Sequence, residues 1–76
     1  MARYFFHSTD AIPYRDAEGV ELASDHAAKL EAVRLLGELL QEKPEALWTS
    51  ASLIVTVTDI RDHVAFTLRA AVLDER

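Results

Sequence analysis

The sequence contains no cysteine and, among its 76 residues, only two glycines and two prolines. Without cysteine the chain can form neither disulfide bonds nor thiolate metal sites, and it has no cysteine nucleophile. Two glycines are too few for the glycine-rich loops that bind phosphate through backbone N–H groups. A domain of this size without such cross-links must be stabilised by close packing or by self-association.

Basic residues are also scarce, since eight lysines and arginines against thirteen acidic residues give a formal net charge of −5. Neutralisation of phosphates by a basic surface supplies most of the affinity of proteins for nucleic acids. We therefore expect no direct binding of DNA or RNA. No apolar stretch is long enough to span a membrane, and no secretory-signal pattern is present, so we expect a cytoplasmic protein.

Alternation of apolar and polar residues predicts four short β-strands, at residues 3–7, 19–22, 53–58 and 64–68. The side chains expected to face the core are Tyr4, Phe6, Val20, Leu22, Leu53, Val55, Val57, Val64, Phe66 and Leu68. The aromatic cluster at the start of the chain is thus mainly structural. Residues 69–76 fit either an extension of the last strand or a short helix.

Between the second and third strands a helical period predicts one long helix, capped by Ser24 and ended by Pro44. Its core-facing residues are Ala28, Ala32, Leu35, Leu36 and Leu39, flanked by Val33 and Leu40. The opposite, solvated side carries Glu31, Arg34, Glu38 and Gln41, and Arg34 can pair there with Glu38 one turn further on. Gly37 interrupts the helix and either admits another backbone or is merely tolerated. Trp48 follows in a short connection.

The element order β-β-α-β-β predicts a single α+β domain over residues 1–76, with a small antiparallel four-stranded sheet and one helix packed on one face. The other face of the sheet would remain uncovered. We expect this open face to be an interaction surface, formed by Phe5, His7, Ile54, Thr56, Thr67 and Arg69.

Reactive side chains are present but not in catalytic patterns. Three histidines occur without the helical i, i+4 spacing of metal ligands, and the densest ligand-like group, Asp59, Asp62 and His63, lies where a turn needs such residues. Two sets of carboxylates, Asp10, Asp16 and Glu18 in the first loop and Asp59 and Asp62 in the last turn, show no sign of the burial that makes carboxylates catalytic. We predict no catalytic residue, no metal and no cofactor.

Three segments carry a family resemblance: RYFFH (residues 3–7), DAEGVEL (16–22) and LIVTVTD (53–59). In these, and in the alanine-rich helix between them, the sequence resembles an uncharacterised family of small bacterial proteins. That family begins with a Tyr-Phe-Phe-His strand and is catalogued as a domain of unknown function. The resemblance implies no activity, substrate or catalytic residue. The sequence departs from the pattern in the last turn, where Asp62-His63 replaces an acidic-Gly pair and argues against a tight type I′ hairpin.

A weaker similarity, in element order alone, is to HicB-type antitoxin domains. Three functional hypotheses follow. The first is a non-enzymatic protein-interaction module that forms a homodimer, because unpaired sheet edges invite association. The second is an acidic antitoxin-like or regulatory subunit that neutralises a basic protein partner, as the net charge and the face with Glu31 and Glu38 suggest. The third is a small ligand-binding protein or enzyme that uses Arg3, His7 and the turn at residues 59–63.

Overall fold

A computed structural model describes residues 1–9 and 13–75 of the chain. Asp10, one of the carboxylates considered above, lies outside these residues. The elements are β1 (Ala2–Thr9), β2 (Val20–Leu22), α1 (Asp25–Glu42), α2 (Pro44–Ser50), β3 (Ser52–Thr58) and β4 (Val64–Ala71).

The strands form one open sheet in the order β2-β1-β3-β4, and every neighbouring pair is antiparallel. The first half of β1 pairs with β2, from Ala2 opposite Leu22 to Tyr4 opposite Val20. Its second half pairs with β3, from Phe5 opposite Thr58 to Thr9 opposite Ile54. This arrangement confirms the predicted α+β class and places β4 at one edge of the sheet.

The core lies between α1 and one face of the sheet, as the two periodicities predict. Its buried side chains are Tyr4, Phe6, Ala28, Ala32, Leu36, Leu53, Val55 and Val57. Two alanines on the helix, Ala28 and Ala32, allow it to lie close to the buried leucine and two valines of β3. Phe66 and Leu68 of β4 are half-buried against this core, so the assignment of the two sheet faces is confirmed.

The helix begins as predicted, because the Ser24 hydroxyl accepts a hydrogen bond of 3.1 Å from the Ala27 N–H. The Tyr4 hydroxyl donates to the Asp25 carboxylate in the first turn, which joins the helix start to β1. Contact with this carboxylate raises the pKa of Tyr4 above its usual value of 10.0, since ionising the hydroxyl would lose the bond.

A second helix, α2, replaces the short connection expected around Trp48. Pro44 occupies its first turn, where the missing N–H costs nothing, and Ala51 ends it in the left-handed conformation at φ 65°. Pro44 therefore ends α1 as predicted and also begins α2.

Three side chains expected to face or flank the core are exposed: Val64 (62%), Val33 (58%) and Val20 (40%). Val20 lies on the short edge strand β2. Val64 lies on the other edge strand beside a register shift between Val57 and Thr58, where the regular ladder is interrupted. Val33 lies on the flank of α1 that overhangs β4. The last strand runs to Ala71, which settles part of the 69–76 segment as a strand extension.

Within the part of the chain that the structure describes, no helix combines the length and apolar character required to cross a membrane.

Candidate functional site

The six residues predicted as an interaction surface lie in neighbouring rows on the open face. His7, Thr56 and Thr67 are cross-strand partners in one row, and Ile54 and Arg69 are partners in the next. Phe5 lies opposite Thr58 at the end of the face that leads to the β3–β4 turn. The register thus places these six residues side by side, while their role as an interface stays a prediction.

A polar cleft of about 210 Å³ opens at this end of the face. Its walls come from β1, the loop before β2, the end of β3 and the β3–β4 turn. The lining residues are Phe5, His7, Arg15, Asp16, Ala17, Thr58, Asp59, Ile60 and Asp62. Residues of the first strand and of the last hairpin therefore meet in one place, as the ligand-binding hypothesis requires.

His7 is held on both sides of its imidazole ring. Its Nδ1 accepts a hydrogen bond of 3.0 Å from the Asp16 N–H, so Nδ1 carries no proton. The proton of the neutral ring is then on Nε2, which donates to the Thr58 hydroxyl oxygen at 2.9 Å. Thr58 is itself buried. The ring therefore fixes the loop before β2 against the end of β3.

The Asp16 carboxylate organises the same loop. Its Oδ1 accepts from the N–H groups of Glu18 and Gly19, both at 3.1 Å, and its Oδ2 accepts from the Phe6 N–H at 3.2 Å. Burial alone would raise the pKa of Asp16, but these bonds and the nearby His7 outweigh it and lower the pKa below its usual 3.8. Asp16 is thus ionised and fully engaged at neutral pH.

Asp59 closes the β3–β4 turn in a similar way. Its Oδ1 accepts from the N–H groups of Arg61 at 2.8 Å and His63 at 2.9 Å, and these bonds, with that from His63 foremost, lower the pKa of Asp59. The Asp62 N–H donates to the Asp59 carbonyl, and Asp62 has a φ of 64°. This is a type I turn followed by a left-handed residue, which matches the expected absence of a two-residue type I′ turn.

The cleft brings together some of the residues that the ligand-binding hypothesis named, and not others. Arg15 bridges its mouth by a 2.7 Å ion pair with Asp62, in which both side chains are largely exposed. Arg3 lies elsewhere and donates to the Glu18 carbonyl, and His63 projects into solvent from the turn. Among the residues described, no group of three or more His, Asp and Glu side chains could hold a metal ion.

Sequence reasoning missed the contributions of Arg15 and Thr58 to the cleft, and it named the turn at residues 59–63 without singling out Ile60. The Asp-x-x-Gly spacing of residues 16–19 is typical of a carboxylate that accepts from the backbone of its own loop and could have revealed the structural role of Asp16. The convergence on His7 has no local signal, because it depends on pairing between β1 and β3.

A second cavity, apolar and about 270 Å³ in volume, lies at the edge of the sheet between α1 and β4. We call it the edge groove; its lining residues are Lys29, Ala32, Val33, Phe66, Thr67 and Leu68. The groove exists because α1 packs over the centre of the sheet and leaves the apolar side chains of the edge strand half covered. No sequence pattern predicted it.

Comparison with known proteins gives one informative result. Neither the curated proteins nor the solved structures include a significant match to this chain. A family model matches residues 3–71, which is nearly all of the sequence and spans every element from β1 to β4. The expectation of an uncharacterised family of small domains is thereby confirmed, and the chain belongs to the family described as domain of unknown function DUF6894.

Proposed function

We propose that this chain is a non-enzymatic protein-interaction module that acts as a homodimer. The observation that carries the proposal is the edge strand β4, eight residues long, which has a strand partner on one side only among the described residues and is flanked by the edge groove. An unpaired edge with apolar surface beside it is a template for association. Twofold dimers are the commonest result of such association.

The chemistry of the polar cleft supports an interaction role over a catalytic one. A carboxyl group that acts as a general acid at neutral pH needs a raised pKa. Both Asp16 and Asp59 have lowered pKa values because backbone N–H groups stabilise their charged forms. Both nitrogens of His7 are used in bonds that hold the fold together.

Sedimentation velocity across the micromolar concentration range tests the proposal. We expect a species with twice the mass of the single chain, in exchange with monomer as the protein is diluted. A single monomeric boundary at every concentration would overturn the homodimer.

A second candidate function is binding of a small polar ligand in the cleft, favoured by the convergence of His7 with Asp59 and Asp62 around one cavity. Titration of the isotope-labelled protein with a library of small polar and cationic fragments tests it. Chemical-shift changes confined to the cleft residues would support the candidate, and their absence would leave the cleft a structural joint.

The third possibility, an acidic subunit that neutralises a basic partner, loses part of its basis. The face expected to be acidic contains Arg34, which donates to the carboxylates of both Glu31 and Glu38. One cation between two carboxylates leaves this face with much less negative charge than two free glutamates. The net charge of the chain is the support that remains for this function.

A further inference from the structure

The outer edge of β4 presents a defined set of backbone groups. The Val72 N–H donates to the Ala51 carbonyl oxygen, and the register continues from Ala71 opposite Ser52. In an antiparallel ladder the hydrogen-bonded residues alternate along each strand. Phe66, Leu68 and Ala70 therefore bond to β3, and the N–H and C=O groups of Thr67, Arg69 and Ala71 point outward.

The two edges of the sheet differ in how well they are protected. The β2 edge is only three residues long and carries the exposed ion pair between Glu21 and Arg3. The β4 edge is eight residues long, contains no proline and has one charged residue, Arg69. Short strands, charges and prolines are the features that block edge-to-edge pairing. The β4 edge is the one available to a partner strand.

The edge groove continues onto α1 beyond β4. Val33 lines the groove, and Leu30 and Gly37 lie three and four residues from it along the helix, so they extend the same stripe. Leu30 is 59% exposed, and a Cβ on Gly37 would meet no atom within 4 Å in the described chain. A partner whose strand pairs with β4 would bring its own helix to this stripe, and a glycine there permits close approach.

A dimer interface of ordinary size would cover a modest share of this chain. A typical interface buries about 800 Å² per partner, which is about 15% of the 5452 Å² that this chain exposes. By residue number, the eight residues of β4 together with Lys29, Leu30, Val33 and Gly37 are 12 of the 76 residues of the chain.

Charge and side-chain size select one register for pairing of β4 with a second copy. A twofold axis at Arg69 would place two arginines directly opposite each other, which is unfavourable. An axis at Thr67 would place Ala65, which the register shift removes from the regular ladder, opposite Arg69 and close to the axis. An axis at Leu68 meets Ala65 only at the ends of the paired segment, opposite Ala71. An axis at Leu68 pairs Thr67 with Arg69 and Phe66 with Ala70. The charged arginine then lies opposite a neutral side chain, and the large phenylalanine lies opposite a small one.

We infer that two copies of this chain pair their β4 strands antiparallel about a twofold axis at Leu68, which forms a continuous eight-stranded sheet with both α1 helices on one face. The inference rests on the proposed homodimer and specifies its interface. In this assembly the Leu68 side chains of the two copies meet above the sheet, and each edge groove is closed by the partner's β4 and α1.

Charge substitutions at Thr67 test the register, because this exposed side chain lies opposite the partner's Arg69 in that register alone. Thr67→Lys should weaken the dimer about three- to tenfold, since it places like charges opposite each other twice. Thr67→Glu should strengthen the dimer by a similar factor, because it places opposite charges across from each other twice. The double substitution Thr67→Lys with Arg69→Glu creates the same opposite-charge pairs with the signs exchanged, so it should bind as tightly as Thr67→Glu and more tightly than wild type. Thr49→Lys on the exposed side of α2 is the matched control and should leave the affinity of the dimer unchanged.

Because the chain has no cysteine of its own, single introduced cysteines give an independent geometric test. Under mild oxidation a mixture of Thr67→Cys and Arg69→Cys chains should form a mixed disulfide dimer, since directly opposed residues are about 5.5 Å apart. Neither variant should cross-link on its own, because residue 67 of one copy and residue 67 of the other are diagonal neighbours about 7–8 Å apart, and the same holds for residue 69.

The outcomes separate the inference from the proposed function. A wild-type monomer would remove both the homodimer and this interface. A wild-type dimer whose affinity is unchanged by Thr67→Lys and Thr67→Glu, with no mixed disulfide, would leave the homodimer and overturn the β4 interface. If Thr67→Lys and Thr67→Glu both weakened the dimer and Thr67→Cys cross-linked on its own, the twofold axis would lie at Thr67. That result would overturn the inferred register.

Discussion

The two glycines of this chain occupy opposite environments. Gly19 has a φ of +70°, and a Cβ built on it would lie 2.8 Å from both the Phe5 ring and the Tyr4 carbonyl oxygen. Gly37 lies in the middle of α1 with open space around its Cα. Gly19 follows Glu18 and Gly37 precedes Glu38. These neighbours give no hint that one glycine is required and the other is not.

Alanine substitutions at the two glycines should therefore have effects of opposite sign. Gly19→Ala combines a strained backbone with a steric clash and should lower the free energy of unfolding by about 2 kcal/mol or more. Gly37→Ala should raise it by about 0.5–1 kcal/mol, because alanine favours the helix. Urea denaturation of dilute monomer measures both, and loss of stability in Gly37→Ala would contradict the open environment.

The residue-level predictions from sequence succeeded where the cause is local. Ser24 caps α1 and Arg34 pairs with Glu38 because each interaction spans three or four residues along one helix. The bonds of His7 to Asp16 and Thr58 depend on how strands distant in sequence align. No pattern in a single segment encodes that alignment, so the centre of the cleft could not be predicted.

At the scale of elements, the loop before β2 takes the place of a strand along part of β1. Tyr14 exchanges two backbone hydrogen bonds with Ser8, and Val20 lies opposite Tyr4. Between these points the Phe6 N–H has a carboxylate oxygen of Asp16 as its acceptor. The side chain thus replaces the missing strand at the edge of β1.

Acid should weaken the attachment of this loop to β1 before it affects the rest of the sheet. The pKa of Asp16 is lowered in the folded chain, so its stabilising effect is present above its usual pKa of 3.8 and is lost as the pH falls through the folded value. Asp16→Asn keeps one acceptor oxygen and should cost about 1–3 kcal/mol at neutral pH.

Denaturation curves of wild type and Asp16→Asn at neutral pH and below pH 4 measure this contribution. The difference between the two proteins should shrink on acidification, which separates Asp16 from Asp59, whose pKa is lowered as well. A difference that stays constant with pH would show that the charge of Asp16 is not what stabilises the loop.

The order and type of the main elements were accessible from sequence because their periods are strong. Four alternating segments and one helical segment appear at the predicted positions, each within a few residues of its predicted ends. The helix α2 was missed because seven residues with a proline and a tryptophan contain too few turns for a period. The strand order β2-β1-β3-β4, which creates the free β4 edge, depends on contacts between distant segments.

The whole molecule is long and thin for its size. Its extents are 46 × 21 × 20 Å and its radius of gyration is 13.0 Å, whereas a compact chain of this length would have a radius of about 11 Å. A single layer of helix on an open sheet gives this shape and leaves apolar groups at the edge partly exposed. Self-association through the edge would shield groups that a rounder fold would bury internally.

Amide hydrogen exchange as a function of concentration distinguishes an edge-paired dimer from one joined through the open face. In a β4-paired dimer the outward N–H groups of Thr67 and Arg69 acquire acceptors, so their exchange should slow as the protein is concentrated. The N–H groups of Leu68 and Ala70 bond to β3 in monomer and dimer alike and serve as internal controls. A dimer joined through Phe5, His7 and their neighbours would leave all the outward amides in rapid exchange, because face-to-face contact of side chains supplies no backbone acceptor at the β4 edge.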